Sequence, residues 1–329
     1  FSVGVDSRSV TFDLFKPTAA LVSPPNGGQL NSEQDQISGT AQDSPAGVGT
    51  LEVALSSSAG TAGSWWDGAS FSGAAPLYQS TASYVRGSPD TWTWERPPDA
   101  AMKNGHLYTL SVRTADRAQP ANVRFQTSVF TYDEEAPLAT VQVPADGSYR
   151  NAQFAISGVS SDNLGVSTVA VSVSSSANNG GCYEPGSGFT AACPNFFPAG
   201  GTVGAWTVSV PFDDGKSYLI LARAVDVSGG TQTVFDQGIS SVTFIFDAAP
   251  PQAGLIKPRD GKRERDLALV SGTAADAAPG APGLTQVRVA KLTGSLKYWD
   301  PVAGTGQFTR DPSESELVWA TAAYTGGWA

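Results

Sequence analysis

Three copies of one eleven-residue block set the limits on this chain. Pro17-Thr-Ala-Ala-Leu-Val-Ser-Pro24-Pro-Asn-Gly27 matches Pro137-Leu-Ala-Thr-Val-Gln-Val-Pro144-Ala-Asp-Gly147, and both match Pro251-Gln-Ala-Gly-Leu-Ile-Lys-Pro258-Arg-Asp-Gly261. The copies are 120 and 114 residues apart. A second block follows each: Ile37-Ser-Gly-Thr-Ala-Gln-Asp43, Ile156-Ser-Gly-Val-Ser-Ser-Asp162 and Val270-Ser-Gly-Thr-Ala-Ala-Asp276. Self-similarity at a fixed period means one supersecondary plan used repeatedly. Whatever one copy folds into, its neighbours fold into as well.

Inside each copy the apolar residues alternate. Leu51-Glu-Val-Ala-Leu55, Val169-Ala-Val-Ser-Val173 and Val287-Arg-Val-Ala have period 2, which buries one face of a strand and wets the other. Tyr108-Thr-Leu-Ser-Val-Arg-Thr-Ala-Asp116 and Tyr218-Leu-Ile-Leu-Ala-Arg-Ala-Val-Asp226 read as strands ending in an Asp turn. Ser128-Val-Phe-Thr-Tyr-Asp133 and Ser241-Val-Thr-Phe-Ile-Phe-Asp247 read as closing strands. With 36 Gly and 22 Pro punctuating the chain, long helices are excluded. About seven short strands per repeat predict an all-β fold of tandem β-sandwiches, arranged as a rod. The expected divisions are 1–16, the closing strand of a preceding repeat; 17–136 and 137–250, two whole domains; and 251–329, a partial domain lacking its last strands.

Charge narrows the partners. Lys+Arg 20 against Asp+Glu 30 leaves −10, which excludes nucleic-acid phosphates and anionic membrane surfaces as expected partners. No run of 18 apolar residues is present to form a membrane-spanning helix. Yet 40% of the chain is hydrophobic, enough to fill cores.

The two cysteines, Cys182 and Cys193, lie in a Gly/Pro-rich stretch with a spacing unsuited to a Cys-x-x-Cys site. A local disulfide is the first reading and two reduced thiols the other. The disulfide would imply an oxidising, extracellular or cell-surface setting.

The run Ile-Ser-Gly-Thr-Ala-x-Asp, the later Arg-Ala-x-Asp and the Asp-x-x-Ala-Pro junction resemble the tandem bacterial immunoglobulin-like domains of large surface proteins. The resemblance covers essentially the whole chain. It implies that the sandwiches are immunoglobulin-like and that their role is structural or adhesive, in a family whose members include adhesins, stalks, spacers and modules appended to enzymes. The Arg-Ala-x-Asp turn departs from the family's pattern at Arg113-Thr-Ala-Asp116 and at Arg223-Ala-Val-Asp226, which runs into Ser-Gly-Gly.

Candidate sites are few. Asp43, Asp162 and Asp276 read as Asx-turns ending a strand, with calcium ligation as the alternative. At the first junction Asp133, Glu134 and Glu135, with Asp116 and Asp146, form a weak calcium set; at the next, Asp247, Asp226 and Asp260 are available. No other metal or cofactor is expected. Trp65-Trp66, Cys182-Tyr183 and Tyr298-Trp299 hold matching places, each followed by a Phe: Phe71, Phe189 and Phe308. That order suits a hairpin packed over the sandwich edge; stacking of Trp65, Trp66, Tyr183, Tyr298 and Trp299 on sugar rings is the alternative. One His, His106, and no nucleophile elbow or phosphate loop leave few parts for catalysis, so no enzyme is expected.

The function expected is a stalk, adhesin shaft or filament subunit of a long secreted or surface bacterial protein. Its partners would be neighbouring repeats, surface glycans or cell-surface proteins, and the rival role is a carbohydrate-binding module. The ends suggest a segment of a longer chain, or else strand donation by Ser9-Val-Thr-Phe-Asp-Leu-Phe15 to the open third unit.

Overall fold

A computed structural model describes residues 9–57, 64–81, 83–176, 180–265, 268–276, 284–292, 294–300, 308–310 and 319–323. The first repeat contains β1 (Thr18–Ser23), β2 (Gly28–Asn31), β3 (Gln36–Gln42), β4 (Val48–Ser56), β5 (Trp65–Trp66), β6 (Phe71–Gly73), β7 (Gln79–Ser80), β8 (Ser83–Val85), β9 (Asp90–Glu95), β10 (Leu107–Asp116) and β11 (Val123–Asp133). One sheet runs β1-β3-β9-β8; the other runs β2-β11-β10-β4-β5-β6, with β7 also on β4. A short 3-10 turn lies at Asp99–Ala101.

The second repeat reproduces this plan. It has β12 (Leu138–Val143), β13 (Ser148–Arg150), β14 (Ala155–Ser161), β15 (Val166–Ser175), β16 (Cys182–Glu184), β17 (Gly188–Ala191), β18 (Phe197–Pro198), β19 (Gly200–Thr202), β20 (Ala205–Ser209), β21 (Lys216–Asp226) and β22 (Ser241–Phe246). Its sheets are β12-β14-β20-β19 and β13-β22-β21-β15-β16-β17, with β18 on β15. The chain is thus built of tandem β-sandwiches.

The recurring Pro block marks where the first strand changes sheets. β1 and β12 lie antiparallel to β3 and β14, whereas β2 and β13 lie parallel to the closing strands β11 and β22. The peptide bonds before Pro24, Pro144 and Pro258 are cis in all three copies.

The Ile-Ser-Gly block has a packing cause. Ile37 and Ile156 are wholly buried, and each following glycine lies against a tryptophan of the neighbouring strand: Gly39 against Trp92, Gly158 against Trp206. Each indole N–H donates to a backbone carbonyl, Trp92 to Thr40 at 3.2 Å and Trp206 to Val159 at 3.0 Å. The buried tryptophan is thereby satisfied as well as packed. Two separate cores result, one around Leu30, Ile37, Trp92, Tyr108 and Phe130, the other around Ile156, Val171, Trp206, Tyr218 and Phe244.

A second repeated device is a tyrosine at the start of β10 and β21. Its hydroxyl accepts a hydrogen bond from a backbone N–H five residues upstream, Lys103 to Tyr108 at 2.8 Å and Asp213 to Tyr218 at 2.7 Å. This ties the preceding loop down onto the core, as in a tyrosine corner.

In the third repeat β23 (Gln252–Lys257) pairs with β24 (Ser271–Ala275). The remaining described pairs, β25 (Gln286–Val287), β26 (Ala290–Lys291), β27 (Lys297–Trp299), β28 (Phe308–Arg310) and β29 (Ala320–Thr321), are short. Leu255, at the place of the buried Val141, is 65% exposed. Trp319, at the place of Trp206, is 38% exposed and lies under Arg288, which also covers Tyr298. Residues 9–17 lie in no strand, and Val10, Phe12 and Leu14 are exposed.

Candidate functional site

The strongest concentration of chemistry lies where the first sandwich meets the second. β11 ends at Asp133, β14 is followed directly by Asp162, and β21 ends at Asp226. Their carboxylates come together with ligand oxygens all within 4.8 Å of one another. Asp133 and Asp226 are buried and Asp162 is half-buried.

Each carboxylate uses one oxygen on its own turn. Asp162 Oδ1 accepts N–H bonds from Leu164 and Gly165 at 2.9 and 3.0 Å. Asp226 Oδ1 accepts from the Ser228 and Gly230 amides at 2.8 and 2.9 Å and from the Ser228 hydroxyl at 2.6 Å. Asp133 Oδ1 accepts from the Glu135 amide at 3.3 Å. The other oxygen, Oδ2, is buried without a hydrogen-bond partner in all three. Burial pushes the Asp133 carboxyl above the ordinary aspartate value, and the charges of Asp162 and Asp226 add to the shift.

Asp13, Asp43 and Asp116 form the same group at the other end of the first sandwich, again within 4.8 Å. Asp13 precedes Pro17 as Asp133 precedes Pro137; Asp43 and Asp116 correspond to Asp162 and Asp226. Here the oxygens are more engaged. Asp13 accepts from the Phe15 and Ala46 amides at 2.9 and 2.8 Å, and Asp116 from Ala118 and Asn122. Burial acts to raise Asp116, but the bonds from Asn122 and Ala118 outweigh it and hold the carboxyl below its ordinary value. Only Asp43 leaves both oxygens buried and unpartnered, and burial, then Asp13 and Asp116, pushes its carboxyl up.

These groupings differ from the junction set read in the sequence. Asp116 sits at the opposite end of the sandwich from Asp133, because β10 and β11 are antiparallel with Leu107 opposite Thr131. For the same reason Asp226, grouped in the sequence with Asp247 and Asp260, lies at the first junction: β21 is antiparallel to β22, with Lys216 opposite Phe246. Asp146 stands exposed in the β12–β13 turn, accepting from the Thr243 amide and hydroxyl at 2.8 and 2.9 Å. Glu134 and Glu135 are exposed, their amides held by Asn104 and Asp133. Asp162 does form the Asx-turn expected of it. Sequence reading named Asp43 and Asp162 as Asx-turns with calcium ligation as the alternative, apart from the junction sets, and left out Asp13. The signal for Asp13 was the aromatic-Asp-x-x-x-Pro spacing shared by Phe12-Asp13, Tyr132-Asp133 and Phe246-Asp247.

Side-chain bonds cross the junction. Asn31 Nδ2 donates to the Ser228 carbonyl at 3.0 Å in a buried position, and Asn163 Nδ2 donates to Asn104 Oδ1 at 3.3 Å on the surface.

The aromatic blocks form the expected hairpins. Trp66 pairs with Phe71, Tyr183 with Phe189 and Trp299 with Phe308. Trp66 is buried, and its ring contacts run through Phe71 to Tyr108; those of Tyr183 run through Phe189 to Tyr218. Trp65, Tyr183, Tyr298 and Trp299 are half-buried. Cys182 takes the place of Trp65 and is disulfide-bonded to Cys193, stapling the second hairpin. His106 is exposed where β10 begins, and no carboxylate is described as bonded to it.

No protein-family model matches the chain, and no curated protein matches it. Solved structures similar to it include the fibronectin(III)-like modules of Clostridium thermocellum CbhA, at 15% identity and a TM-score of 0.35, covering 70% of this chain and 95% of that one. The FN1–FN3 domains of chicken CNTN1 are similar at 12% identity and a TM-score of 0.38, covering 73% and 69%. A marsupial T cell receptor is similar at 12% identity and a TM-score of 0.34, covering 85% and 90%.

Proposed function

We propose that this chain is a non-catalytic structural segment of a long secreted or cell-surface bacterial protein, a stalk or adhesive shaft in which sandwiches follow one another end to end. The observation that carries the reading is the junction. β11 passes into β12 through only Glu134-Glu-Ala-Pro137, and the buried Asn31–Ser228 bond ties the two units directly. A connection this short leaves no length for a flexible linker. The Cys182–Cys193 disulfide supports an oxidising compartment. Burial of Trp66 beneath its hairpin favours packing over sugar stacking for that residue. Neighbouring repeats are the first partners, with surface glycans or cell-surface proteins as adhesive targets.

Small-angle scattering on the 329-residue chain tests the extended arrangement. A compact chain of this length has a radius of gyration of about 20 Å; the expected value is well above that, and a value near it overturns the reading. A glycan array tests the rival role. Glycan binding that is lost in Trp65→Ala or Trp299→Ala while the fold is kept would replace the shaft with a carbohydrate-binding module.

A further inference from the structure

We propose that Asp133, Asp162 and Asp226 hold a calcium ion between the first and second sandwiches, and that Asp13, Asp43 and Asp116 are a second, weaker site of the same design. Three aspartates near one another would not suffice. What points to a ligand is the state of their oxygens. Asp133 and Asp226 are 1% and 2% exposed, and each, like Asp162, keeps one buried oxygen without a well-formed hydrogen bond, although the Ser228 hydroxyl approaches Asp133. A buried acceptor without a donor is costly, and such atoms are uncommon in folded proteins. Here three residues that each carry such an atom bring one carboxylate oxygen apiece within 4.8 Å of one another, and among the described residues no lysine or arginine forms an ion pair with any of the three.

The spacing fits the ion. Calcium takes carboxylate and carbonyl oxygens at about 2.3–2.6 Å, so oxygens on opposite sides of it stand roughly 4.6–5.2 Å apart. One oxygen from each of the three carboxylates lies within 4.8 Å of the other two. An all-oxygen donor set without His or Cys selects hard cations over zinc or copper. Magnesium, which demands near-ideal octahedral geometry at shorter distances, suits turns of this irregular kind less well. The Oδ1 bonds to Leu164, Gly165, Ser228 and Gly230 fix two of the carboxylates before an ion arrives. The second group supplies independent repetition, with Asp43 contributing two buried, unpartnered oxygens. Its partners Asp13 and Asp116 already spend their oxygens on amides, and this makes it the weaker site.

Bound there, the ion joins the end of β11 in one sandwich to the ends of β14 and β21 in the next. This goes beyond the shaft reading and does not depend on it, since scattering without calcium tests the shaft and ion binding tests the site.

The test is calorimetric titration of the chelator-treated chain with calcium chloride, and separately with magnesium chloride. Calcium is expected to bind with a Kd of about 10⁻⁴–10⁻³ M or tighter, the range of extracellular modules, and magnesium more weakly. Asp162→Asn, which keeps the turn-forming Oδ1, is expected to remove the tighter site, and Asp43→Asn the weaker. The metal-free Asp133→Asn chain is expected to melt at or above the wild-type temperature, because it loses a like charge and keeps an acceptor for the Glu135 amide. No calcium heat and no change in melting temperature at concentrations well above that range would overturn the proposal. So would unchanged binding in both Asp162→Asn and Asp43→Asn.

Discussion

A Cβ built on Gly158 would stand 2.3 Å from Cζ2 of Trp206, and one on Gly39 would stand at the same distance from Cζ2 of Trp92. The Thr140 carbonyl at 2.0 Å and the Ala20 carbonyl at 2.3 Å crowd the same positions. Neither a buried indole nor a strand carbonyl can give way easily. Gly158→Ala is therefore expected to destabilise the second sandwich by about 3 kcal/mol or more through overpacking. Trp206→Phe in the same chain should recover part of the loss. Denaturant unfolding of the single and double variants measures both.

Arg96 supports a comparable loss in the first sandwich. Its buried guanidinium donates to the Ser32, Gln34 and Pro97 carbonyls at 2.9, 2.6 and 3.0 Å and pairs with Asp99 at 2.6 Å. Arg96→Met keeps the bulk of the side chain and abandons those acceptors. A loss of about 3 kcal/mol is expected, confined to the first of two unfolding transitions, since Val210 stands at the matching position of the second unit. Differential scanning calorimetry separates the transitions.

Acid should act on the same cluster. The Tyr132 hydroxyl bonded to Asp99, with Arg96 beside it, holds the Asp99 carboxyl below its ordinary value of 3.8. A depressed carboxylate contributes stability that is fully present above its unfolded pKa and lost as pH falls through the folded one. The contribution of Asp99 is thus intact at neutral pH and disappears below about pH 4. Asp99 is half exposed, so screening limits it to a few tenths of a kcal/mol. Asp99→Asn should flatten the acid limb of the first transition slightly.

Reduction should weaken only the second sandwich. The Cys182–Cys193 bond closes a short loop, and opening it is expected to cost about 2–3 kcal/mol on the chain-entropy model. Thermal melts of the Cys182→Ala/Cys193→Ala chain, compared with the wild type in reductant, check this. The first unit, held at the same place by Trp65 and Trp66, should melt unchanged.

Trp66→Ala distinguishes core from ligand surface. Trp66 is 7% exposed and packs at a tilt against Phe71, so truncation should cost about 3–5 kcal/mol. A smaller loss than for Tyr183→Ala, whose side chain is half-buried, would contradict the packing assigned to the hairpin.

The strands were legible because period-2 alternation and the Gly and Pro punctuation are local signals. Ile37, Leu51 and Tyr108 announced their burial through their neighbours. The hairpin pairs Trp66–Phe71 and Tyr183–Phe189 were also readable, since three unequal copies kept one order. Membership of the acidic groups was not. Asp133 and Asp162 are in adjoining repeats, and Asp226 reaches them only because β21 runs against β22; strand direction is a tertiary fact with no local signature. The reason for Gly39 and Gly158 was hidden likewise. The glycine is visible in the chain, but the tryptophan that requires it lies about fifty residues further on, at Trp92 and Trp206.

The antiparallel course of β21 and β22 gives each sandwich two chemically unlike poles. The leading pole of the second unit presents a pair of acids, Asp162 and Asp226, and its trailing strand delivers a single one, Asp247. Only opposite poles complete a trio. Two leading poles brought together would crowd four negative charges, and two trailing poles would bring just two. A series of such units is therefore vectorial, and reversing any one of them would break the acidic trio on both of its sides.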